Sequence, residues 1–440
     1  MRKRENLKFT AVAARAAVMI ALLCMCTTVT EAATNSFKTL FTFNGPDGHS
    51  PTDTLAADAQ GNLYGTTSQG GALNLGLVFE LTPTAQGQWK EAILYSFTGG
   101  SDGVVPWSGV IFDSKGNIYG TTVKGGRYSN CTEGCGTVFQ LTKGVGGTWT
   151  EQILYSFSGK SDGYVPNGLA IDGAGNLYGT TEFGGSSNCS YGGCGTIFKL
   201  TPSTSGPWKK TLLHAFRGGL GDGAQPQAAL IFDPQGNLYG TANVGGNTGC
   251  YFLGCGAVFE MKPATCGRWS YKVIYFFNVD PDGFLPWGAL VFDKQGNLYG
   301  ATNAGGGTAT LCPDYGCGTV FELTPQIDGT WTESVLYRFQ GGYDGETPYG
   351  PPVITSQGNV YVATNAGGYP QTCGGYGCGT VEELTPSGSG IWIGNVVVQF
   401  GARPGVIPYA GLITDANGNL YGTTNQGGNA GYGLVFEYTP

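Results

Sequence analysis

The sequence predicts an all-β protein, a seven-bladed β-propeller, and three observations lead to that prediction. One set of short motifs recurs seven times, at a spacing of 55 to 62 residues. Each repeat holds four short apolar segments bounded by Gly, Pro, Asn or Asp, which is typical of antiparallel strands joined by turns. The chain also opens with a surplus strand motif and ends without the one that would complete its last repeat.

Four motifs follow one another in each repeat, and we name the strands that they predict a, b, c and d. Strand b carries Gly-Asn-Leu-Tyr-Gly-Thr-Thr, and strand d carries Trp-Thr-Glu-x-x-Leu-Tyr-x-Phe, as in residues 149–157. The link into strand a is Asp-Gly-x-x-Pro, followed by an apolar run. Strand c carries Gly-Thr-Val-Phe-Glu-Leu-Thr-Pro, in which Glu382 replaces the aromatic residue of the sixth copy.

The two ends of the chain favour a closed ring. Four antiparallel strands in about 60 residues have the proportions of a long propeller blade. Residues 37–43 match the end of a d strand, and Pro440 follows the seventh c strand directly. Pairing these ends completes the seventh blade and protects both sheet edges. The alternative, an open solenoid, gives no reason for this complementarity and would need capping repeats.

The N-terminus predicts export. Basic residues open the chain, an apolar run covers residues 11–26, and small residues lead to a cleavage site after Ala32 or Ala33. We therefore assign residues 1–33 to a signal peptide and residues 34–440 to a single propeller domain. A membrane anchor is the alternative, although the run is shorter than the ~20 apolar residues of a membrane span. We expect a secreted protein, extracellular or periplasmic, with no membrane span after signal removal.

The charge of the chain argues against one class of partner, nucleic acids. The net charge is −8, and it becomes −11 without the five basic and two acidic residues of the signal peptide. Such a surface repels phosphate backbones, so we expect no nucleic-acid binding. Charged residues make up 12 % of the chain, about half of the roughly 25 % that is usual. This composition suits short strands and tight turns, and we expect a monomer.

These motifs resemble the GloVer-type tandem repeat proteins of bacteria, also called choice-of-anchor repeat proteins. The resemblance covers nearly all of residues 37–440, because several motifs recur in fixed order. It implies a secreted or surface-anchored repeat protein, and it supplies no catalytic residues. Members often carry a C-terminal sorting anchor, whereas this chain stops at Pro440 inside a blade.

Ten cysteines form five close pairs, each in the b–c loop of repeats two to six. We predict a disulfide within each loop, because an exported chain meets an oxidising compartment. Zinc binding by the paired thiols is the alternative, although no histidine lies nearby. Cys266 is left over, as a buried or unpaired thiol. The predicted pairs are Cys131–Cys135, Cys189–Cys194, Cys250–Cys255, Cys312–Cys317 and Cys373–Cys378.

Strand direction places the d–a links and the b–c loops on one face of the ring, which we name the long-loop face. In ring-shaped repeat proteins, binding residues lie more often on long loops than on tight turns. The first residues after the link prolines vary in type and lead into the inner strands, near the mouth of the central channel. We predict that they bind a ligand by ring stacking and hydrogen bonding, with inter-blade packing as the alternative. They are Trp107, Asn167, Gln227, Trp287, Tyr349 and Tyr409.

Six d–a links begin with an aspartate, and the seventh has Arg403 near this place. Asp-Gly starts turns through bonds between side chain and backbone, so a turn role is expected. A ring of calcium sites is the alternative, but calcium needs several oxygen ligands per site. We otherwise expect no cofactor and no metal. The aspartates are Asp47, Asp102, Asp162, Asp222, Asp282 and Asp344.

The motifs of catalysis are missing from the sequence. The chain has two histidines, His49 in the first d–a link and His214 at the tyrosine position of a d strand, and neither belongs to a catalytic motif. The sequence favours a binding module for a glycan or a protein, and more readily a non-enzyme than an enzyme. The alternatives are a carbohydrate-active hydrolase or lyase with carboxylates at the channel mouth, and a structural surface protein.

Overall fold

The computed structural model describes residues 35–440 except 187, 190, 191, 204–206, 248, 251–253, 279, 308–311, 313, 314, 370, 389 and 402–404. The predicted signal peptide, residues 1–33, lies outside the described residues. Helical structure in the described part consists of the 3₁₀ turns Lys160–Asp162, Thr265–Gly267 and Cys373–Gly375. None of the helices described is long and apolar enough to span a bilayer.

The predicted fold class is confirmed, because the strands form seven antiparallel blades around a ring. Strand β1 (Ser36–Thr42) precedes the first blade. Blade 1 contains β2 (His49–Pro51), β3 (Ala56–Ala57), β4 (Leu63–Gln69), β5 (Leu77–Pro83) and β6 (Trp89–Ser96). Blade 2 contains β7 (Ile111–Phe112), β8 (Ile118–Thr122), β9 (Thr137–Lys143) and β10 (Trp149–Ser156). Blade 3 contains β11 (Tyr164–Ile171), β12 (Leu177–Phe183), β13 (Thr196–Thr201) and β14 (Lys209–Ala215).

The later blades repeat this order of strands. Blade 4 contains β15 (Gly223–Ala224), β16 (Ile231–Phe232), β17 (Leu238–Ala242), β18 (Val244–Gly245), β19 (Ala257–Pro263) and β20 (Trp269–Phe276). Blade 5 contains β21 (Val291–Phe292), β22 (Leu298–Thr302), β23 (Thr319–Pro325) and β24 (Trp331–Arg338). Blade 6 contains β25 (Gly345–Pro348), β26 (Val353–Ile354), β27 (Val360–Gly367), β28 (Thr380–Pro386) and β29 (Trp392–Gln399). Blade 7 contains β30 (Gly405–Val406), β31 (Ile413–Thr414), β32 (Leu420–Thr424), β33 (Gln426–Gly427) and β34 (Leu434–Thr439).

The first strand of the chain belongs to the last blade. β1 pairs antiparallel with β34, with Ser36 opposite Thr439 and Thr42 opposite Leu434. The order of this sheet is β1, β34, β32, β31. The N-terminal strand is therefore the outer strand of blade 7, in the place that strand d occupies elsewhere.

The hydrophobic core is divided among the junctions between blades. Each of seven clusters of buried residues joins two successive blades, and one of them joins blade 7 to blade 1. At six junctions a phenylalanine that follows strand d contacts a phenylalanine of the next strand c edge to face. These pairs, with ring centroids 5.0–5.4 Å apart, are Phe43–Phe79, Phe97–Phe139, Phe157–Phe198, Phe216–Phe259, Phe277–Phe321 and Phe400–Phe436.

The a–b hairpins are fixed by one aspartate each. Asp113 accepts hydrogen bonds from the backbone N–H groups of Lys115 and Asn117, both at 2.9 Å, and from the Asn117 side chain at 2.7 Å. Its second oxygen also accepts the Tyr119 hydroxyl. Blade 6 has Thr355 at this place, and its hydroxyl takes over part of the role. The equivalent aspartates are Asp58, Asp172, Asp233, Asp293 and Asp415.

The d–a links and the b–c loops hydrogen-bond to one another, which places them on the same side of the ring. In blade 4, β15 of the link pairs with β18 of the loop, and in blade 7, β30 pairs with β33. In blade 2, Val104 of the link forms a bridge with Lys124 of the loop. The long-loop face is thus a continuous layer of short pairings around the channel.

Candidate functional site

A cavity of about 460 Å³ lies at the centre of the ring, and residues from all seven blades line it. The lining comes from the segments that follow the link prolines and lead into the inner strands. It is largely apolar, with Leu55, Val110 and Leu290 among its side chains. A concave, apolar cavity with a few polar groups is the usual form of a small-molecule site.

Each inner strand is preceded by a residue whose backbone has the left-handed conformation. The residue before every link proline has a positive φ, between 52° and 61°, although none of the seven is glycine. Such a conformation costs about 1–2 kcal/mol in a residue with a Cβ, and strained backbone of this kind clusters at functional sites. The residues are Ser50, Val105, Val165, Gln225, Leu285, Thr347 and Ile407.

Hydrogen bonds from the preceding blade hold these strained residues. The backbone N–H of Val165 donates to the carbonyl of Cys135 at 3.2 Å, and that of Gln225 donates to the carbonyl of Cys194 at 2.8 Å. The same bond recurs at the other five positions. In this way the b–c loop of one blade supports the residue that enters the channel from the next blade.

Five of the six predicted mouth residues line the cavity. Trp107 is 47 % exposed, and Gln227, Trp287, Tyr349 and Tyr409 are partly buried. The ring centroid of Tyr349 is 5.0 Å from that of Trp287 and 5.1 Å from that of Tyr409, both edge to face. Blades 5, 6 and 7 therefore present a continuous aromatic wall.

The sixth predicted residue has a structural position instead. Asn167 is buried, and its side-chain amide donates to the carbonyl of Pro226 at 2.8 Å, so it ties blade 3 to blade 4. In the first blade the equivalent residue, Thr52, lines the cavity and donates its hydroxyl to the carbonyl of Trp107 at 2.9 Å. Thr52 follows Pro51 as Trp107 follows Pro106. Its place after the link proline could therefore have identified it from the sequence as a lining residue.

Asp53 is a lining residue that the sequence reasoning missed. Its two carboxylate oxygens accept backbone N–H bonds at 2.6 Å, one from Thr54 and one from Gly109 of the next blade. Burial raises the pKa of Asp53, although these bonds oppose the shift. The signal lay in the alignment of the repeats, because the other six units have Ser, Gly or Ala at this place.

Small residues at this level let the inner strands approach one another. A Cβ atom on Gly109 would lie 2.5 Å from the carbonyl oxygen of Thr54, and one on Gly350 would lie 2.2 Å from the backbone nitrogen of Gly411. Neither position can accept a larger residue without movement of the backbone. The channel is therefore narrow here, and Asp53 adds a charged group to its wall.

Polar residues at the end of strand b, or just after it, form a layer beside the mouth. The side chain of Gln227 donates to Glu182 at 2.8 Å and accepts from Asn243 at 2.8 Å. The side-chain nitrogens of Asn303 and Asn365 are buried without a hydrogen-bond partner among the described residues. Glu182 itself does not line the cavity. Among the described lining residues Asp53 is thus the single carboxylate, so the paired carboxylates expected of a glycoside hydrolase are not found there.

The six link aspartates hold turns. Asp102 accepts the backbone N–H of Thr98 at 2.5 Å and the hydroxyl of Tyr95 at 3.0 Å. Asp162 makes the same two kinds of bond and adds an ion pair with Lys210 of the next blade at 2.7 Å. Asp47, Asp222, Asp282 and Asp344 likewise accept a backbone N–H from the end of strand d. The seventh link, with Arg403, lies among residues 402–404, outside the described residues.

The five predicted disulfides are formed. The second cysteine of each pair is buried, at no more than 1 % exposure, and its carbonyl accepts the bond from the next inner strand. Leu75 and Tyr432 stand at this place in blades 1 and 7, where their carbonyls accept the same bond. The Cys312–Cys317 bridge lies beside the Glu346 carboxylate, but its sulfur atoms are bonded to each other. Cys266 is unpaired and exposed, in the c–d link of blade 4.

Both histidines contact aromatic rings. His214 stacks on Tyr271 with ring centroids 3.8 Å apart, and its Nε2 lies 3.4 Å from the Asp222 carboxylate. His49 contacts Tyr432 edge to face on the long-loop face. Neither ring lines the central cavity.

A second depression, of about 660 Å³, lies between blades 3 and 4 at the face of the tight hairpins. It is wide and open, and its floor consists of Tyr178, Phe232 and Trp269. Its carboxylates, Asp172 and Asp233, already hold the a–b hairpins of their blades. The central cavity is the better candidate because its polar groups converge from several blades.

The family described as the Gloeobacter/Verrucomicrobia repeat matches this chain over residues 27–190, 127–311 and 307–440. No curated protein matches it by sequence. Among solved structures, it is similar to a catalytically inactive virginiamycin B lyase from Staphylococcus aureus with quinupristin. The two share 12 % identity and a TM-score of 0.52, over 92 % of this chain and all of the other.

Two further structures are similar over part of their own length. One is the extracellular domain of a putative one component system from B. thetaiotaomicron, with 9 % identity, a TM-score of 0.54, and coverage of 91 % of this chain and 40 % of that one. The other is PorZ, a surface component of the type-IX secretion system of Porphyromonas gingivalis. It has 14 % identity, a TM-score of 0.50, and coverage of 90 % and 47 %. At these identities the likeness concerns the fold alone.

Proposed function

This chain belongs to the Gloeobacter/Verrucomicrobia repeat family, and on that premise we propose that it is a secreted propeller that binds a glycan at its central cavity. One observation carries the proposal. Residues that are dispersed along the chain at intervals of about 60, and that vary from repeat to repeat, line a single cavity beneath the long-loop face.

The chemistry of the lining suits a sugar. Aromatic rings offer apolar faces on which the C–H groups of a pyranose can stack, and polar tips that form hydrogen bonds. Trp287, Tyr349 and Tyr409 provide such a wall, and Trp107 stands in another blade with about half of its surface exposed. Gln227 supplies an amide held in place by Glu182 and Asn243. A held amide is a directional group for sugar hydroxyls.

The location outside the cytoplasm has its own support. Five disulfides within short loops persist in an oxidising compartment and are rare in the cytosol. The N-terminal pattern of basic, apolar and small residues is that of an export signal. Both features agree with a protein that meets its ligand at a cell surface or outside the cell.

The test is a glycan array and a cell-wall pull-down with residues 34–440, in parent form and as Trp107→Ala and Trp287→Ala. We expect retention of a glycan by the parent and a loss of at least tenfold in affinity for each variant. Tyr376→Ala is the matched control, because this ring is 75 % exposed in a cysteine loop away from the cavity. Equal binding by the two tryptophan variants would show that the ligand does not use the cavity. If the parent retains a cell-wall protein and no glycan, the ligand is a protein and the glycan proposal is wrong.

A further inference from the structure

The central cavity has an unbalanced charge. Asp53 is its one charged group among the described lining residues, and no lysine, arginine or histidine stands beside it there. We propose that the cavity recognises an organic ammonium group, which pairs with Asp53 and packs against the aromatic wall. This inference rests on the cavity being the binding site, and it names the chemical class of the ligand.

The hydrogen bonds of Asp53 favour the ionised form. Both of its oxygens accept backbone N–H groups, from Thr54 and from Gly109, at 2.6 Å. Each of these bonds favours the carboxylate over the carboxyl group, whereas burial, which raises the pKa of Asp53, opposes them. A carboxylate that is partly withdrawn from water is costly without a cation. A ligand with a positive charge would supply the missing partner.

The position of Asp53 is also imposed by its neighbours. Gly109 contacts it from blade 2, and the adjacent Thr54 accepts the backbone N–H of Gly411 from blade 7. The carboxylate is therefore held between blades 1 and 2, and the residue next to it is held by blade 7. Such a held anion has little conformational freedom to lose when a ligand binds, which favours affinity.

The aromatic rings complete the site. A cation within about 6 Å of a ring centroid is attracted by the negative face of the ring, and tryptophan is the strongest partner. Trp107, Trp287, Tyr349 and Tyr409 line the same cavity as Asp53. The lysines that lie over rings in the described part are Lys143, Lys199 and Lys210, and none of them meets these four residues. The rings are therefore available to a cation that arrives with the ligand.

The ammonium group could belong to an amino sugar or to a simple amine, and the probes separate these sources. We suggest titrating residues 34–440 at pH 7 with glucosamine, N-acetylglucosamine, glucose and tetramethylammonium. Tryptophan fluorescence reports binding in each titration. We expect glucosamine to bind at least tenfold more tightly than the two neutral sugars. We also expect Asp53→Asn to lose this preference. Glu133→Gln, the same change of charge at an exposed site, is the control and should keep it.

A second pair of variants keeps the test valid if Asp53→Asn disturbs the backbone bonds. Trp287→Leu and Tyr409→Leu keep an apolar side chain and remove the aromatic face, so both should weaken tetramethylammonium binding severalfold. If tetramethylammonium binds and no sugar does, the ammonium site stands and the glycan proposal fails. If neutral and charged sugars bind equally, or if no cation binds the parent, the ammonium site is refuted.

Discussion

Glu382 lies directly opposite Val362 in blade 6, where β28 pairs with β27. In the six other blades the same pair is a phenylalanine and a glycine, as with Phe79 opposite Gly65. The ring covers the glycine so closely that a Cβ atom on Gly65 would lie 2.6 Å from it. The glycine is absent from the one blade that lacks the ring, so the two positions depend on each other.

This dependence predicts the outcome of a double-mutant cycle. Glu382→Phe alone should destabilise the protein by about 1–3 kcal/mol, because the ring meets the Val362 side chain in a filled core. Glu382→Phe with Val362→Gly should recover most of that loss, and chemical denaturation gives the free energy of unfolding for each variant. Equal losses in the single and the double variant would show that the two positions are independent.

Three glutamates predict how stability depends on pH. Glu91, Glu151 and Glu333 occupy the same place in strand d, and one oxygen of each is buried without a hydrogen-bond partner. Burial raises the pKa of each from 4.5 to about 7, and the negative charge of the nearest link aspartate adds to the shift. The folded protein therefore binds more protons than the unfolded chain between pH 4.5 and 7. This contribution to stability is complete below pH 4.5 and is lost as the pH rises through 7.

Glu151→Gln tests whether stability falls as the pH rises, since it removes one of the three titrating groups without changing the size of the side chain. We expect the free energy of unfolding of the variant to fall less than that of the parent between pH 5 and pH 8. Glu133→Gln, on the exposed surface, should follow the parent. A parent that becomes more stable over the same interval, relative to Glu151→Gln, would contradict the assignment.

At the first position of the a–b hairpin, one substitution should lower the stability of the protein and another should raise it. Asp113→Ala should cost about 1–3 kcal/mol, because it leaves several partly buried donors without an acceptor. Thr355→Asp should instead stabilise blade 6 by about 1 kcal/mol, since it restores the carboxylate that the other hairpins have. Thermal unfolding of both variants is sufficient, and a Thr355→Asp variant less stable than the parent would refute the shared role.

The small disulfide loops should contribute modestly. Replacing Cys189 and Cys194 by alanine opens a ring of about five residues, for which chain entropy predicts a loss of roughly 2 kcal/mol. Because the carbonyl of residue 194 holds the entry of the next inner strand, ligand binding through Gln227 should also weaken. A variant with unchanged stability and unchanged binding would show that the loop is rigid without the bridge.

Much of the fold could be predicted from local patterns. The repeat gave the number of blades and strands, and the spacing of the cysteines gave the five pairs. The contact that requires glycine in strand b, between Gly65 and the ring of Phe79, depends on three-dimensional packing and was not predicted. The left-handed residues were not foreseen either, because Val105 and Ile407 are poor candidates for positive φ.

The candidate site was predictable to the extent that it follows the repeat. Trp107 and Trp287 were found because they share a register after the link proline. Asp53 was missed because an aspartate beside a proline and threonines has the composition of a turn. Asn167 shares the register of the mouth residues, but its amide meets the carbonyl of Pro226. That contact depends on how blade 4 sits against blade 3, which no local pattern encodes.

The pairing of Ser36 with Thr439 also bears on how the molecule is made. β1 is synthesised before blade 1 and its partner β34 only after blade 6, so blade 7 cannot be completed until the six other blades have been made. Contacts between such distant residues slow folding. Until residues 434–439 have been made, β1 has no strand to pair with, and the stack of Phe37 on Phe436 that joins the two strands cannot form.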